Sequence, residues 1–250
     1  RQMCIRDSSM DGVEFHGHVS YLKAGIRFAD LITTVSPGYA REILTPDFGY
    51  GLDGLLRARA DRLVGILNGI DMHEWNPARD PALEHHYDAR RMGGKARNRD
   101  SLRRQLGLAE DASSPVVGVV SRLTEQKGLD LLLAVADGLV NEGAQFAVLG
   151  SGEHWLEQGW RELASRHPGR CATVIGFDET LAHRIEAGAD IFAMPSRFEP
   201  CGLNQMYSLR YGTVPVVRRT GGLGDTVFDA DPDAIAEGSA NGFVFEHADI

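Results

Sequence analysis

Cysteine is scarce in this chain, with Cys4, Cys171 and Cys201 as its three examples. The number is odd, no C-x-x-C pair occurs and no His/Cys cluster has metal-ligand spacing, so neither a disulfide framework nor a zinc site is indicated. Long apolar runs are missing as well: none approaches the roughly 18–20 residues that a membrane-spanning helix needs. With no signal-peptide pattern at its start, the chain is expected to be soluble and cytoplasmic, without a membrane partner. Positive charge is also in short supply, since 26 Lys and Arg face 35 Asp and Glu for a formal charge of -9. A nucleic-acid partner requires clustered positive charge against its phosphates, and this balance argues against one. An anionic small molecule would have to be met by local cations. No internal repeat or low-complexity segment occurs.

What is present is enough apolar material, 43% of 250 residues, for one large domain or two small ones with real cores. Much of it falls in short apolar runs followed by helical spacing, the pattern of an α/β protein with a buried parallel sheet. Residues 116–120 read as an all-apolar strand, followed by a loop and by Leu129, Leu132, Leu133, Ala136, Leu139 and Val140 at helical spacing. The plan repeats in 145–153, where Gly150 and Gly152 make a tight turn after a strand, and in the strand and helix of 174–190. It repeats again where 191–194 and 214–217 read as strands and 201–211 as a helix; GFVFE at 242–246 is a further strand. Earlier, Val19, Leu22, Ile26 and Ala29 share one helical face and 31–36 reads as a strand. Ser36-Pro37 is then an N-cap with Pro at the first helical position. Residues 62–67 form a strand stopping at the turn-prone pair Asn68-Gly69. Residues 77–100 read as a linker or surface loop, and the Arg-rich run 90–104 as the start of a solvated helix.

Two loops, 195–200 and 218–224, follow the carboxyl ends of strands, where ligands of open α/β sheets bind. The first carries Arg197 and Glu199. The second carries Arg218, Arg219 and Thr220-Gly221-Gly222 ahead of a helix that begins at Asp225. A Gly-rich turn running into a helix N-terminus offers N–H groups to phosphate oxygens. An anion site beside a carboxylate is the favoured reading, with surface ion pairs on an ordinary α/β domain as the alternative. Arg122 and Lys127 stand in the loop after 116–120. Two cations beside a helix N-terminus would neutralise a diphosphate, although a solvated pair fits the spacing equally well. Trp75 is read as a buried anchor before a sugar-stacking ring, and His183, among Ala182, Ile185 and Ala187, as structural.

PSRFEPCGL at 195–203 followed by RRTGGLGDTV at 218–227 resembles the signature of the bacterial glycogen synthase and starch synthase family. Its members are retaining glucosyltransferases of the GT-B fold that add glucose from ADP-glucose to α-1,4-glucan. ADLITTVSPGYAREI, LNGID and SRLTEQKG extend the likeness over residues 12–250. The resemblance implies Rossmann-like parallel sheets with helices on both faces. Residues 1–67 would be the end of an N-terminal, acceptor-side domain, and 68–250 a C-terminal nucleotide-sugar-binding domain. It implies that Glu199 sits by the glucose while Arg122 and Lys127 stabilise the diphosphate, these three being the catalytic residues. Asn68, Phe177, Cys201, Gly202, Leu203, Thr220, Gly221 and Gly222 would bind substrate, with Phe177 stacking on the nucleotide base. The implied partners are ADP-glucose and a glucan such as glycogen, with no metal and no cofactor.

Asp229-Ala230-Asp231 looks like the D-x-D motif that holds a divalent ion against a sugar diphosphate in the other large glycosyltransferase fold. In an acidic, Pro-containing loop it is not expected to bind metal. Tyr207 stands where the broader superfamily often carries a second Glu, which removes a donor contact. A UDP-glucose donor, or a non-catalytic module that binds a nucleotide sugar or a glucan, remains as an alternative. The family's K-T-G-G-L loop, its N-terminal catalytic-region His and its C-terminal helix have no counterpart here. The chain is therefore expected to be a fragment, truncated at its end and inactive alone, with RQMCIRDS suspected as an artefact.

Overall fold

The computed structural model describes residues 12–249; Cys4 and RQMCIRDS lie outside them. The chain divides into two compact units, one ending at Asn68 and one starting at Gly69.

The first unit contains β1 (Glu14–Phe15), β2 (His18–Val19), α1 (Tyr21–Phe28), β3 (Ile32–Thr34), α2 (Pro37–Glu42), α3 (Pro46–Gly49), α4 (Asp53–Ala58) and β4 (Leu63–Gly65). β3 and β4 pair in parallel with Ile32 opposite Leu63. Ser36 caps α2 as its spacing predicts: its hydroxyl accepts from the Tyr39 N–H at 3.0 Å, meeting a donor that has no partner inside the helix. Ile26, Ile43, Leu52 and Leu56 form the core. The expected apolar face of α1 is only partly realised, since Ile26 is buried while Leu22 is 67% exposed. Ser20, accepting from the Lys23 N–H, starts the helix too late to include Val19, which lies in β2.

The second unit opens with α5 (Gly93–Leu106) and continues with β5 (Val116–Val120), α6 (Leu129–Asn141), β6 (Gln145–Gly150), α7 (His154–Arg166), β7 (Cys171–Ile175) and α8 (Glu179–Gly188). It is completed by β8 (Ile191–Met194), α9 (Asn204–Tyr211), β9 (Val214–Arg218), α10 (Gly221–Thr226), α11 (Pro232–Glu237) and β10 (Phe243–Phe245). The strands form one sheet in the order β10-β9-β8-β5-β6-β7, every pair parallel. The chain therefore builds outward from β5 through β6 and β7, then returns to β8 on the other side. That reversal between β5 and β8 is the switch point where open α/β sheets place their ligands.

Alternation along the strands feeds two cores. Val117, Val119, Phe146 and Val148 face Leu129, Ala136 and Val140 of α6 and Leu156, Trp160 and Leu163 of α7. Val116, Ala147, Leu149 and Phe192 face Leu102 of α5 and Leu181 and Ile185 of α8. Each fully buried aliphatic or aromatic chain stabilises by about 1.5–3 kcal/mol relative to exposure. Gly118 lets α8 approach, because a Cβ there would stand 2.8 Å from Ile185 Cγ2.

α5 is not the solvated helix expected from its arginines. Gly94, Asn98, Leu102 and Arg103 form a buried stripe against the fold. Arg103 is 1% exposed, and its guanidinium donates to Gln145 Oε1 at 2.9 Å and to the Ser114 carbonyl at 2.6 Å. Nor are residues 77–92 a free linker: Leu83 and Tyr87 are buried with Ala187 and Tyr211, and Tyr87 donates its hydroxyl proton to the Tyr211 carbonyl at 2.8 Å.

Candidate functional site

The loops leaving β5 and β8 enclose a cavity of about 340 Å³, lined by Ser121, Arg122, Lys127, Ser196, Glu199 and Asn204 among others. Glu199 is buried, and one carboxylate oxygen accepts from the Lys127 ammonium in close contact and from the Ser196 hydroxyl at 3.2 Å. A second cavity of about 280 Å³ adjoins the first and is lined by Gly150, Gly176, Phe177 and Ala182. Val120, Ser121, Arg122 and Asn204 line both. Arg122 thus stands on the shared wall, exposed, with its guanidinium donating to Gln126 Oε1 at 3.2 Å. Phe177 is 91% exposed beside the second cavity. An apolar ring in water is available to a planar group.

Close backbone approaches set this geometry. Gly128 has φ +67°, and a Cβ there would lie 1.9 Å from the Pro195 carbonyl oxygen. At Gly221 (φ +45°) a Cβ would stand 2.0 Å from the Glu199 carbonyl oxygen, and at Gly222 it would stand 2.2 Å from that of Cys201. Glycine at these positions lets the three loops touch, and this brings Lys127 to Glu199. Cross-links finish the assembly: Arg197 N–H to the Gln126 carbonyl (2.9 Å), Gln126 Nε2 to the Phe198 carbonyl (3.2 Å) and Asn204 Nδ2 to the Val120 carbonyl (2.7 Å). Cys201, Gly202 and Leu203 lead from Glu199 into α9, with Gly202 and Leu203 lining the first cavity.

Several expected anion ligands have other partners. Arg197 forms a two-pronged pair with Asp130 at 2.6 and 2.7 Å. Arg218 donates to the carbonyls of Arg197 and Glu246, both at 3.0 Å, and Arg219 pairs with Glu246 at 2.5 Å. The TGGL turn also differs from expectation, since α10 begins at Gly221 rather than at Asp225. Positive φ at Gly221 turns the extended Thr220 straight into the helix. The Gly222 N–H donates to the carbonyls of Glu199 and Pro200, both at 3.2 Å, so it binds the loop instead of facing a ligand.

Trp75 lies between the rings of His183 (3.9 Å, 13°) and Tyr207 (3.6 Å, 8°), which leaves neither face for a sugar and supports the anchor reading. His183 is buried with Nδ1 2.7 Å from Asp80 Oδ2, a partnership to which only the Asp-Pro turn at 80–81 gave a sequence cue. Asp231 caps α11, and Asp229 accepts from the Val244 N–H at 2.8 Å, so both carboxylates of the D-x-D triplet serve the backbone. Asn68 is the exposed last residue of the first unit.

Among the described residues no helix is long and apolar enough to cross a membrane. The family model described as starch synthase catalytic domain matches residues 3–58, and that of the glycosyl transferases group 1 matches residues 98–250. The glycogen synthase of Dechloromonas aromatica (strain RCB) is 60% identical over 236 residues, 94% of this chain and 49% of that protein. The glycogen synthase of Marinobacter nauticus is 58% identical over 236 residues, covering 94% and 48%. The chain spans about half the length of the curated relatives it matches. The solved catalytic domain of starch synthase IV from Arabidopsis thaliana, bound to ADP and acarbose, superposes with a TM-score of 0.91 at 39% identity, covering 98% of this chain and 51% of that one. With its GT-B fold and these matches, the chain belongs to the glycosyl transferases group 1 family, on the glycogen synthase and starch synthase branch.

Proposed function

We propose that the whole protein transfers glucose from ADP-glucose to the non-reducing 4-hydroxyl of an α-1,4-glucan, with retention of configuration. The observation that carries this reading is the pair of adjoining cavities at the β5/β8 switch point, with Arg122 on their shared wall. In the proposal the adenine stacks on Phe177, the diphosphate crosses at Arg122, and the glucose enters the cavity that holds Lys127 and Glu199. Cys201, Gly202 and Leu203, with Thr220, Gly221 and Gly222 behind them, shape the wall that carries Glu199. Residues 1–67 belong to the acceptor side and 68–250 to the donor side. The ADP and acarbose bound to the starch synthase IV relative support both substrate classes.

The chemistry follows from the charges. As the C1–O bond of the donor breaks, the electron pair leaves with the diphosphate and C1 acquires oxocarbenium character; the acceptor oxygen then adds to the same face while its proton passes to the departing phosphate oxygen. Arg122 and Lys127 meet the growing negative charge, and the Glu199 carboxylate offsets the positive charge on the sugar. One such preorganised contact contributes about 3–4 kcal/mol to lowering the barrier, a factor of roughly 10²–10³. The test is incorporation of glucose into glycogen by the complete protein, with ADP-glucose and UDP-glucose compared as donors. Transfer from ADP-glucose with α-linked product is expected. Saturable nucleotide-sugar binding without any transfer would identify a binding module instead.

A further inference from the structure

A cavity of about 570 Å³ in the second unit shares no lining residue with the two just described, and Glu74, Asp80, Glu179 and His183 line it. Glu74, Glu179 and His183 each bring one ligand-capable atom within 4.8 Å of the others. Glu179 and His183 are four residues apart on α8, so they project from the same face one turn apart. Glu74 reaches them from the segment that follows the chain's crossing into this unit.

His183 is held in a particular way. It is 94% buried, stacked on Trp75, and its Nδ1 lies 2.7 Å from Asp80 Oδ2. Asp80 is 1% exposed and is itself fixed by the Tyr211 hydroxyl at 2.5 Å and the Ala82 N–H at 2.8 Å. With Nδ1 engaged by Asp80, Nε2 is left without a bonding partner among the described residues. A purely structural Asp–His pair accounts for Nδ1. It does not account for a buried imidazole whose second nitrogen is left to a cavity where two carboxylates converge. A carboxylate behind a histidine is the outer-shell arrangement that orients metal-binding imidazoles and raises their basicity. Arg184, which also lines the cavity, is engaged with the Ala82 carbonyl at 2.8 Å and Gln105 Oε1 at 3.0 Å.

We infer that Glu74, Glu179 and His183 form a binding site for one divalent ion of the zinc type, oriented by Asp80 and separate from the donor cavities. One nitrogen and two carboxylate oxygens suit Zn²⁺ better than Mg²⁺ or Ca²⁺, which favour all-oxygen shells. In a tetrahedral shell with bonds of about 2.0–2.1 Å the ligand atoms stand roughly 3.3 Å apart, so from separations within 4.8 Å the two glutamates close inward by at most about 1.5 Å. Both are exposed and have the freedom to do so. The ion would clip the 71–80 segment to the helix that starts beside Phe177.

Calorimetric titration of the full chain with Zn²⁺, alongside thermal melting, tests the inference without reference to activity. We expect one saturable site per chain, a metal-dependent rise in Tm, and no competition from millimolar Mg²⁺. The double variant Glu74→Gln/Glu179→Gln changes two exposed side chains, so it should melt like the parent without metal and bind Zn²⁺ at least tenfold more weakly. It keeps all three cysteines, so thiol binding would persist equally in both proteins. No saturable Zn²⁺ binding, or equal binding by parent and double variant, overturns the site.

Discussion

Lys127 and Glu199 lie 72 positions apart in the chain and meet as an ion pair, with side chains 19% and 8% exposed. Neither loop would hold its residue there alone: Gly128 lets the first loop pass the Pro195 carbonyl, and Gly221 lets the TGGL turn pass that of Glu199. The relationship is one of positioning by backbone contact, and the charges then meet. In the absence of donor, Lys127 neutralises the carboxylate. Under the proposed function, a bound diphosphate would draw the ammonium away and leave Glu199 for the sugar.

The pair makes the two residues unequal under substitution. Glu199→Gln keeps the Ser196 hydrogen bond and removes only the charge, so folding should survive while glucosyl transfer by the complete protein falls about 10²-fold or more. Lys127→Ala leaves a mostly buried carboxylate without its cation and should lower both stability and turnover. Melting curves and single-turnover rates, measured side by side, separate the two. Unchanged turnover in Glu199→Gln would remove that residue from its proposed role.

Phe177 invites the opposite experiment. At 91% exposure its ring contributes little packing, so Phe177→Ala should leave the melting temperature unaltered. If the ring stacks on the base, nucleotide affinity should fall by about 1–3 kcal/mol, roughly 5- to 150-fold. Equal ADP affinity for variant and parent, by titration, would sink the stacking assignment.

How far the sequence could be read depended on how far apart partners lie. β5, β6 and β8 were legible because an apolar run of four to six residues after a turn has few other meanings in an α/β chain. The loops after them were legible by motif. Side-chain allegiance was not: Arg197 finds Asp130 67 positions away, and Arg219 finds Glu246 27 positions away. Without those partners, three arginines beside a Gly-rich turn looked like an anion site. α5 failed for a related reason, since its many arginines hid the short stripe of Gly94, Asn98 and Leu102 that faces the fold. The glycines were visible as turn residues, but which backbone each one admits depends on contacts across the whole unit.

Gly128 gives a prediction on that point. Its φ of +67° and the 1.9 Å approach to the Pro195 oxygen both oppose a side chain. Gly128→Ala should therefore destabilise by at least about 1–3 kcal/mol and separate Lys127 from Glu199, since the Pro195 backbone must move. Gly138, in the last turn of α6 with open space where a Cβ would stand, is the control. Gly138→Ala should stabilise by about 0.4–1 kcal/mol. If chemical denaturation gave the two variants the same midpoint, the close approach at Gly128 would not be limiting.

Glu186 carries the pH prediction. It is 1% exposed on α8; Oε2 accepts from the Ser208 hydroxyl at 2.8 Å and Oε1 has no partner among the described residues. Burial pushes its carboxyl well above the ordinary value of 4.5, and Ser208 and Lys95 offset this only in part. The folded chain therefore holds this proton more tightly than the unfolded one. As pH climbs from 4.5 toward the raised folded value, the unfolded chain ionises first, so stability falls through that window and then levels off. Lys95, which donates to Thr213 Oγ1 at 2.6 Å and the Ala187 carbonyl at 3.1 Å, is pushed down by burial to about 8, against an ordinary value of 10.5. Between those two values the unfolded chain binds the extra proton, so the Lys95 contribution makes stability rise with pH. Glu186→Gln deletes the acid-side titration and leaves the alkaline one. The stability difference, variant minus parent, should grow from pH 4.5 upward and then flatten, while Lys95→Met should remove the rise above pH 8. Urea midpoints at unit pH steps from 4 to 10 would decide it, and a Glu186→Gln difference that stays constant over that range would mean that Glu186 is not held protonated by burial.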